Sequence, residues 1–87
     1  MNILAIKKDK SQILVIEIKK GRASEAVVGQ GLRYMGYVKR ELSEHNQSVK
    51  GVIIALEDDA RICRALAMNP DISFNRYEVS FKLTKVN

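Results

Sequence analysis

Residues 14–19 read LVIEIK, and the alternation within this short run decides how the rest of the chain is interpreted. Side chains of a β-strand point alternately to opposite faces of the sheet. The apolar residues 14, 16 and 18 therefore line one face, while Glu17 and Lys19 follow Val15 on the other. A strand that runs out into solvent gives the same pattern. The pair Glu17 and Lys19 becomes a candidate site only if other residues join it.

A hairpin and a long helix are predicted around this run. Residues 2–6, NILAI, end at a polar turn of lysines and Asp9 before the next apolar run begins, which is typical of a β-hairpin. Ser24 is a suitable N-cap for a helix over residues 24–44, whose apolar positions fall in one stripe. Glycines within this segment are unfavourable in a helix, and we expect close backbone packing to compensate for them.

The second half of the chain predicts a strand, a short helix and a terminal strand. Residues 52–56, VIIAL, are uniformly apolar and favour a central strand covered on both faces. The long helix would connect it in parallel to the second strand. Asp58 is predicted to cap the short helix, which ends at Asn69-Pro70, and capping explains the acidic triplet there better than a metal site does. Residues 72–86 alternate weakly and predict a last strand, bent near Asn75.

Composition narrows the functional classes. With 46% hydrophobic and 29% charged residues, the 87-residue chain predicts one small soluble domain with a modest core. No apolar run reaches the length needed to cross a bilayer, and no signal peptide opens the chain, so we expect a cytoplasmic protein with no membrane partner. The single cysteine, Cys63, is expected to be a small buried thiol in a reducing compartment, and a zinc site of the usual kind is excluded.

The charge of the chain is uneven. Residues 1–42 carry nine Lys and Arg against four Asp and Glu, whereas residues 43–87 carry six against six. The whole net charge of +5 therefore lies in the first two strands and the long helix. Such a surface attracts a polyanion, although many small proteins are equally basic for solubility. DNA is accordingly one predicted partner, and charge alone does not establish it.

The motifs together resemble a known family. The segments ILVIEIKKGRAS, VVGQGLRYMGYVKREL, VKGVIIALEDDARICRAL and YEVSFKL are similar to the carboxy-terminal nuclease domain of NucS-type archaeal DNA endonucleases, in the PD-(D/E)XK nuclease superfamily. The most specific match is EIKKGR followed by GQGLRY. Gln30 and Tyr34 also match a Gln-x-x-x-Tyr pattern found in some of these nucleases. The resemblance implies an α/β fold, a truncated restriction-endonuclease-like core whose mixed sheet of about four strands is accompanied by one long and one short helix.

The resemblance also implies roles for individual residues. Glu17 would help to hold Mg²⁺ or Mn²⁺, Lys19 would stabilise charge at the transition state, and Gln30 would orient water or phosphate. Asn2 stands where the family has a metal-binding aspartate. Nucleic-acid contacts are expected from the following residues: Lys20, Arg22, Arg33 and Tyr34.

Two departures from the family set the functional prediction. The amide of Asn2 lacks the charge of the aspartate it replaces. The chain also begins after the family's first helix and strand, so residues 1–87 are interpreted as a single nuclease-like domain that lacks them. We expect an inactive nuclease-like domain that binds nucleic acid and needs no cofactor. We also expect a homodimer or larger oligomer, with Ile3 and Leu4 of the first strand nearest the contact, because a chain this small would otherwise leave a strand edge and apolar surface exposed. Two alternatives stay open: a Mg²⁺- or Mn²⁺-dependent DNA endonuclease whose site is completed across a homo-oligomer, and a structural or protein-binding domain.

Overall fold

A β-hairpin forms one edge of the sheet. The structure is a computed structural model that describes residues 1–57 and 59–87. Strands β1 (Asn2–Ile6) and β2 (Gln12–Ile18) pair in antiparallel fashion, as predicted. Asp9 stabilises the turn by accepting bonds from the Ser11 hydroxyl (2.6 Å) and backbone N–H (2.9 Å), which lower the pKa of Asp9. Lys10 takes the left-handed conformation that closes the turn (φ 61°).

One long helix follows the hairpin, as the sequence predicts. Helix α1 (Glu25–Tyr37) continues directly into a π-helical turn (Val38–Leu42). Ser24 occupies the N-cap position, but its side chain makes no capping hydrogen bond. The Ser24 backbone carbonyl instead accepts the Val27 N–H at 3.0 Å. The expected contribution of the Ser24 hydroxyl is therefore wrong, although the helix begins where predicted.

The close approach between helix and sheet occurs at a glycine of the sheet. A Cβ atom added at Gly31 or Gly36 of the helix would meet no atom within 4 Å. At Gly51 the same addition would lie 2.6 Å from the Met35 sulfur and 3.2 Å from Ile72. The expected packing role of the helix glycines is therefore wrong, because Gly51 is the residue that lets Met35 approach the sheet.

The sheet is mixed and has the order β1-β2-β3-β4. Strand β3 (Ser48–Ala55) is parallel to β2, and β4 (Ile72–Arg76) is parallel to β3. The predicted parallel crossover through the long helix is thus confirmed. Strand β3 begins before the predicted residue 52. Strand β4 ends at Arg76, so the expected strand as far as residue 86 is too long.

The helices cover one face of the sheet. In the second half of β3 every other residue is buried, namely Gly51, Ile53 and Ala55, whereas Val52 and Ile54 between them are only half-buried. The prediction that both faces of this strand are covered is wrong, because the buried residues of sheet and helices belong to a single cluster. That cluster consists of Ile13, Val15, Ala23, Val27, Met35, Val38, Ile53, Ala55, Ile62 and Ile72.

The short helix α2 (Ala60–Leu66) is capped by Asp59, which accepts the N–H groups of Arg61 (2.8 Å) and Ile62 (3.1 Å). The bond from Ile62 is the main reason that the pKa of Asp59 lies below its usual value, and nearby Arg22 adds to it. The cap predicted at Asp58 lies outside the described residues. Cys63 is exposed, which corrects the expected buried thiol. No helix in the described residues combines the length and apolarity that a membrane span requires.

Candidate active-site cavity

Two polar side chains oppose each other at one end of the hairpin. Asn2 of β1 pairs with Glu17 of β2. The neighbouring pair, Met1 and Ile18, exchanges two backbone hydrogen bonds of 2.9 and 3.2 Å. Hydrogen-bonded pairs alternate with closer, non-hydrogen-bonded pairs in an antiparallel ladder. Asn2 and Glu17 therefore form a close pair, in which Cβ atoms are typically about 5 Å apart.

A cavity of about 500 Å³ lies beside this pair, between the sheet and α1. Gln30, Arg33 and Tyr34 reach it from the helix, because residues three and four positions apart share one side of a helix. The structure thus brings together the predicted residues Asn2, Glu17, Gln30, Arg33 and Tyr34. The remaining wall is formed by Val15, Gly31, Met35, Tyr37, Gly51, Val52, Ile53 and Ile72.

Lys19 joins the site through Glu17. The Glu17 side chain is 14% exposed, and its Oε1 lies 3.2 Å from the Lys19 ammonium, which is 36% exposed. Lys19 follows the end of β2 and its N–H donates to the Ile54 carbonyl at 2.8 Å, which holds the backbone against β3. The Glu-x-Lys pair predicted from the alternation of β2 is therefore an ion pair at the rim of the cavity.

Tyr37 is a cavity residue that the sequence interpretation missed. Its ring centroid lies 6.3 Å from that of Tyr34, with the rings tilted by 34°. Tyr37 lines the cavity and is 53% exposed, so part of the residue stays accessible to solvent. Tyr34 and Tyr37 are three positions apart on a predicted helix, and this spacing could have indicated that the two rings lie on the same side.

Two predicted nucleic-acid contacts lie away from the cavity. Lys20 is exposed in the turn after β2, where its backbone carbonyl accepts the Tyr77 hydroxyl at 2.7 Å. The Arg22 side chain is 70% exposed, and its guanidinium lies 3.7 Å from the Asp59 carboxylate in a second cleft, formed with the start of α1. The roles of Lys20 and Arg22 stay predictions.

The cavity offers a weak set of ligands for a hard divalent cation. Glu17 supplies a carboxylate, and Asn2 and Gln30 supply neutral amide oxygens. The described residues contain no group of three His, Cys, Asp or Glu side chains that could hold a metal. Mg²⁺ sites in proteins rely on charged carboxylates together with waters and substrate phosphates. With one carboxylate already paired to Lys19, this cavity does not fit a resident metal.

The mixed four-stranded sheet, the long helix packed across it and the short helix define an α/β core of the restriction-endonuclease-like, nuclease type. The crystal structure of a repair endonuclease from Pyrococcus abyssi is similar to this chain, with a TM-score of 0.68 and 28% sequence identity. The match covers 86% of this chain and 31% of that chain. No family model and no curated protein matches the sequence. The likeness confirms the resemblance to a NucS-type nuclease domain, and this chain spans about a third of its structural neighbour's length.

Proposed function

We propose that this nuclease-like domain binds nucleic acid at its cavity and does not hydrolyse it with its own residues. The observation that carries the proposal is the pairing of Asn2 with Glu17. An amide stands beside the carboxylate where two negative charges would be needed to bind a hard cation well. The wall of the cavity nevertheless carries groups suited to a phosphodiester strand.

Charge and aromatic surface support the binding part of the proposal. Arg33 lines the cavity, and a planar guanidinium can donate two hydrogen bonds to a phosphate. Lys19 adds positive charge at the rim of the cavity. The exposed ring of Tyr37 can stack on a base, an interaction worth about 1–3 kcal/mol in single-strand binding.

A second function is favoured by the same geometry. Glu17, Lys19 and Gln30 have the residue types that phosphodiester hydrolysis uses, and they meet at one cavity. A Mg²⁺- or Mn²⁺-dependent DNA endonuclease would result if another chain of a homo-oligomer supplied the missing carboxylate. A cytoplasmic location suits either function and is proposed for both.

Fluorescence anisotropy with short single- and double-stranded DNA, over a series of salt concentrations, tests the binding. We expect sequence-independent binding that weakens steeply with salt because bound counterions are released. Arg33→Gln should weaken it and lower the slope of log K against log salt by about 0.7–0.9. Arg64→Gln, on exposed α2 and outside the cavity, is the matched control and should leave the slope unchanged.

Incubation of the same DNA with Mg²⁺ or Mn²⁺ separates the two functions. Intact DNA that is still bound supports the non-hydrolytic domain. Cleavage that is lost in Glu17→Ala would replace it by the metal-dependent endonuclease. Absence of binding at low salt would contradict both and leave a structural or protein-binding domain, with its basic residues serving solubility.

A further inference from the structure

The segment that follows β4, residues 78–87, has the pattern of a strand but no strand partner. Val79, Phe81 and Leu83 alternate with polar residues and are 60%, 88% and 96% exposed. The radius of gyration is 15.7 Å, whereas a compact chain of this length has about 12 Å. The terminal segment therefore projects from the body of the domain. Its alternating apolar side is typical of a half-buried strand.

The outer edge of β1 is the complementary surface. Because Met1 and Ile18 exchange hydrogen bonds, the alternation of the ladder directs the backbone N–H and C=O groups of Asn2, Leu4 and Ile6 away from β2. No strand lies beyond β1 in the described part of the chain. The sequence of β1, NILAI, contains no charged residue and no proline. Natural edge strands are usually protected by such residues, so this edge is open to pairing.

We propose that the terminal segment of one copy of this chain pairs as a β-strand with the outer edge of β1 in a second copy. The partner's segment would satisfy the outward backbone groups of β1, and its apolar side would extend the exposed apolar row that Leu4 and Ile6 form on one face of the sheet. Residues 79–83 and the strand Asn2–Ile6 are equal in length. The proposal is independent of whether the cavity binds nucleic acid.

The same contact cannot form within one chain. Tyr77 is still held at the β4 edge, where its N–H donates to the Ala55 carbonyl at 2.9 Å. Neighbouring strands are about 4.8 Å apart, so the position beyond β1 lies roughly 19 Å from β4, across the whole sheet. A fully extended chain advances at most about 3.6 Å per residue. Val79 and Phe81 therefore cannot reach the outer edge of β1 of their own chain.

A second copy is the occupant that both surfaces indicate. The unpaired edge and the unpaired segment belong to the same chain, so a twofold axis would form the contact twice and leave neither surface exposed. Asn2 belongs to this edge, so the contact would border the cavity.

Light scattering on the full chain at micromolar concentrations should give the mass of two chains. Phe81→Asp should weaken association about tenfold or more, because a buried apolar contact of this size is lost. Ser80→Asp changes the adjacent position on the polar side of the segment and is the matched control, expected to remain dimeric. Both variants should fold, because residues 80 and 81 lie outside the core cluster. Circular dichroism of each variant checks this.

Cross-linking locates the contact. Two variants are prepared with different tags. One carries Cys63→Ser and Leu4→Cys, and the other carries Cys63→Ser and Phe81→Cys. The two are mixed, and a bismaleimide is added. A cross-linked product that carries both tags supports pairing between chains. A monomer at all concentrations, or a dimer that Phe81→Asp leaves intact and that yields no mixed product, would overturn the proposal.

Discussion

Replacement of Asn2 by aspartate tests why the cavity is a poor metal site. In the close pair formed with Glu17, the two carboxylates would lie about 5 Å apart. At that separation the repulsion is between roughly 1 and 3 kcal/mol for effective dielectric constants of about 80 to 20. Asn2 is exposed, so the lower value applies. For a domain of this size, about 1 kcal/mol corresponds to a loss of about 4–8 °C in Tm.

A divalent cation should reverse this loss, because it binds between the two carboxylates. With Mn²⁺ at about ten times its Kd, the gain is roughly 1.4 kcal/mol, which more than restores the Tm of Asn2→Asp. The natural chain should show a much smaller shift. Thermal unfolding with and without Mn²⁺ provides the measurement. Asn46→Asp adds the same charge at an exposed turn and is the control, expected to respond to Mn²⁺ as the natural chain does.

Two results would refute this reasoning. Saturable stabilisation of the natural chain by Mn²⁺, as large as that of Asn2→Asp, would show that one carboxylate and neutral amides suffice. An unchanged response in Asn2→Asp would show that residues 2 and 17 do not converge on a common ligand. Neither outcome requires nucleic acid, so the test is separate from the binding assay.

Further predictions concern the scaffold that positions the cavity. Gly51→Ala should destabilise the fold by about 1–3 kcal/mol in urea unfolding, because the added methyl would overlap the Met35 sulfur. Gly36→Ala has open space around it and should stabilise the fold by up to about 1 kcal/mol. A Gly51→Ala variant as stable as the natural chain would contradict the close packing. Asp59→Ala should lower the Tm at neutral pH through loss of the α2 cap. The folded-state pKa of Asp59 lies below the usual value of 3.8, so this stabilisation is present above about pH 4 and is lost as the pH falls through the folded pKa. The Tm difference should therefore shrink in acid. A constant difference would exclude the ionised cap as its source.

Local patterns were sufficient for the order of the elements. Two apolar runs separated by a polar turn marked β1 and β2, and the apolar stripe marked the long helix, because both patterns depend on neighbours within the segment. The same alternation placed Glu17 and Lys19 on one side of β2, where the structure has them 3.2 Å apart. The resemblance to the nuclease family singled out Gln30 and Tyr34 through the Gln-x-x-x-Tyr pattern, and both line the cavity.

Other features depended on how the segments pack. The end of β4 at Arg76, the exposure of Cys63 and the uncovered face of β3 could not be read from periodicity, because an amphipathic pattern does not specify which surfaces find a partner. Arg22 is another example. Its position after EIKKG suggested a place at the site, but the turn directs it towards Asp59 in a separate cleft.

The sequence by itself determined the residue types of the cavity and the strand and helix that carry them, since these follow from short-range spacing. Only the tertiary structure decided that Asn2 stands directly opposite Glu17. That pairing depends on the register of the hairpin, and a slip of one residue would send Asn2 to the other face of the sheet. The tertiary structure also decided that Arg33 and Tyr37 lie at the cavity, because Gly51 lets Met35 bring α1 close to the sheet. Contacts between segments distant in the chain arise from packing, which no local pattern encodes.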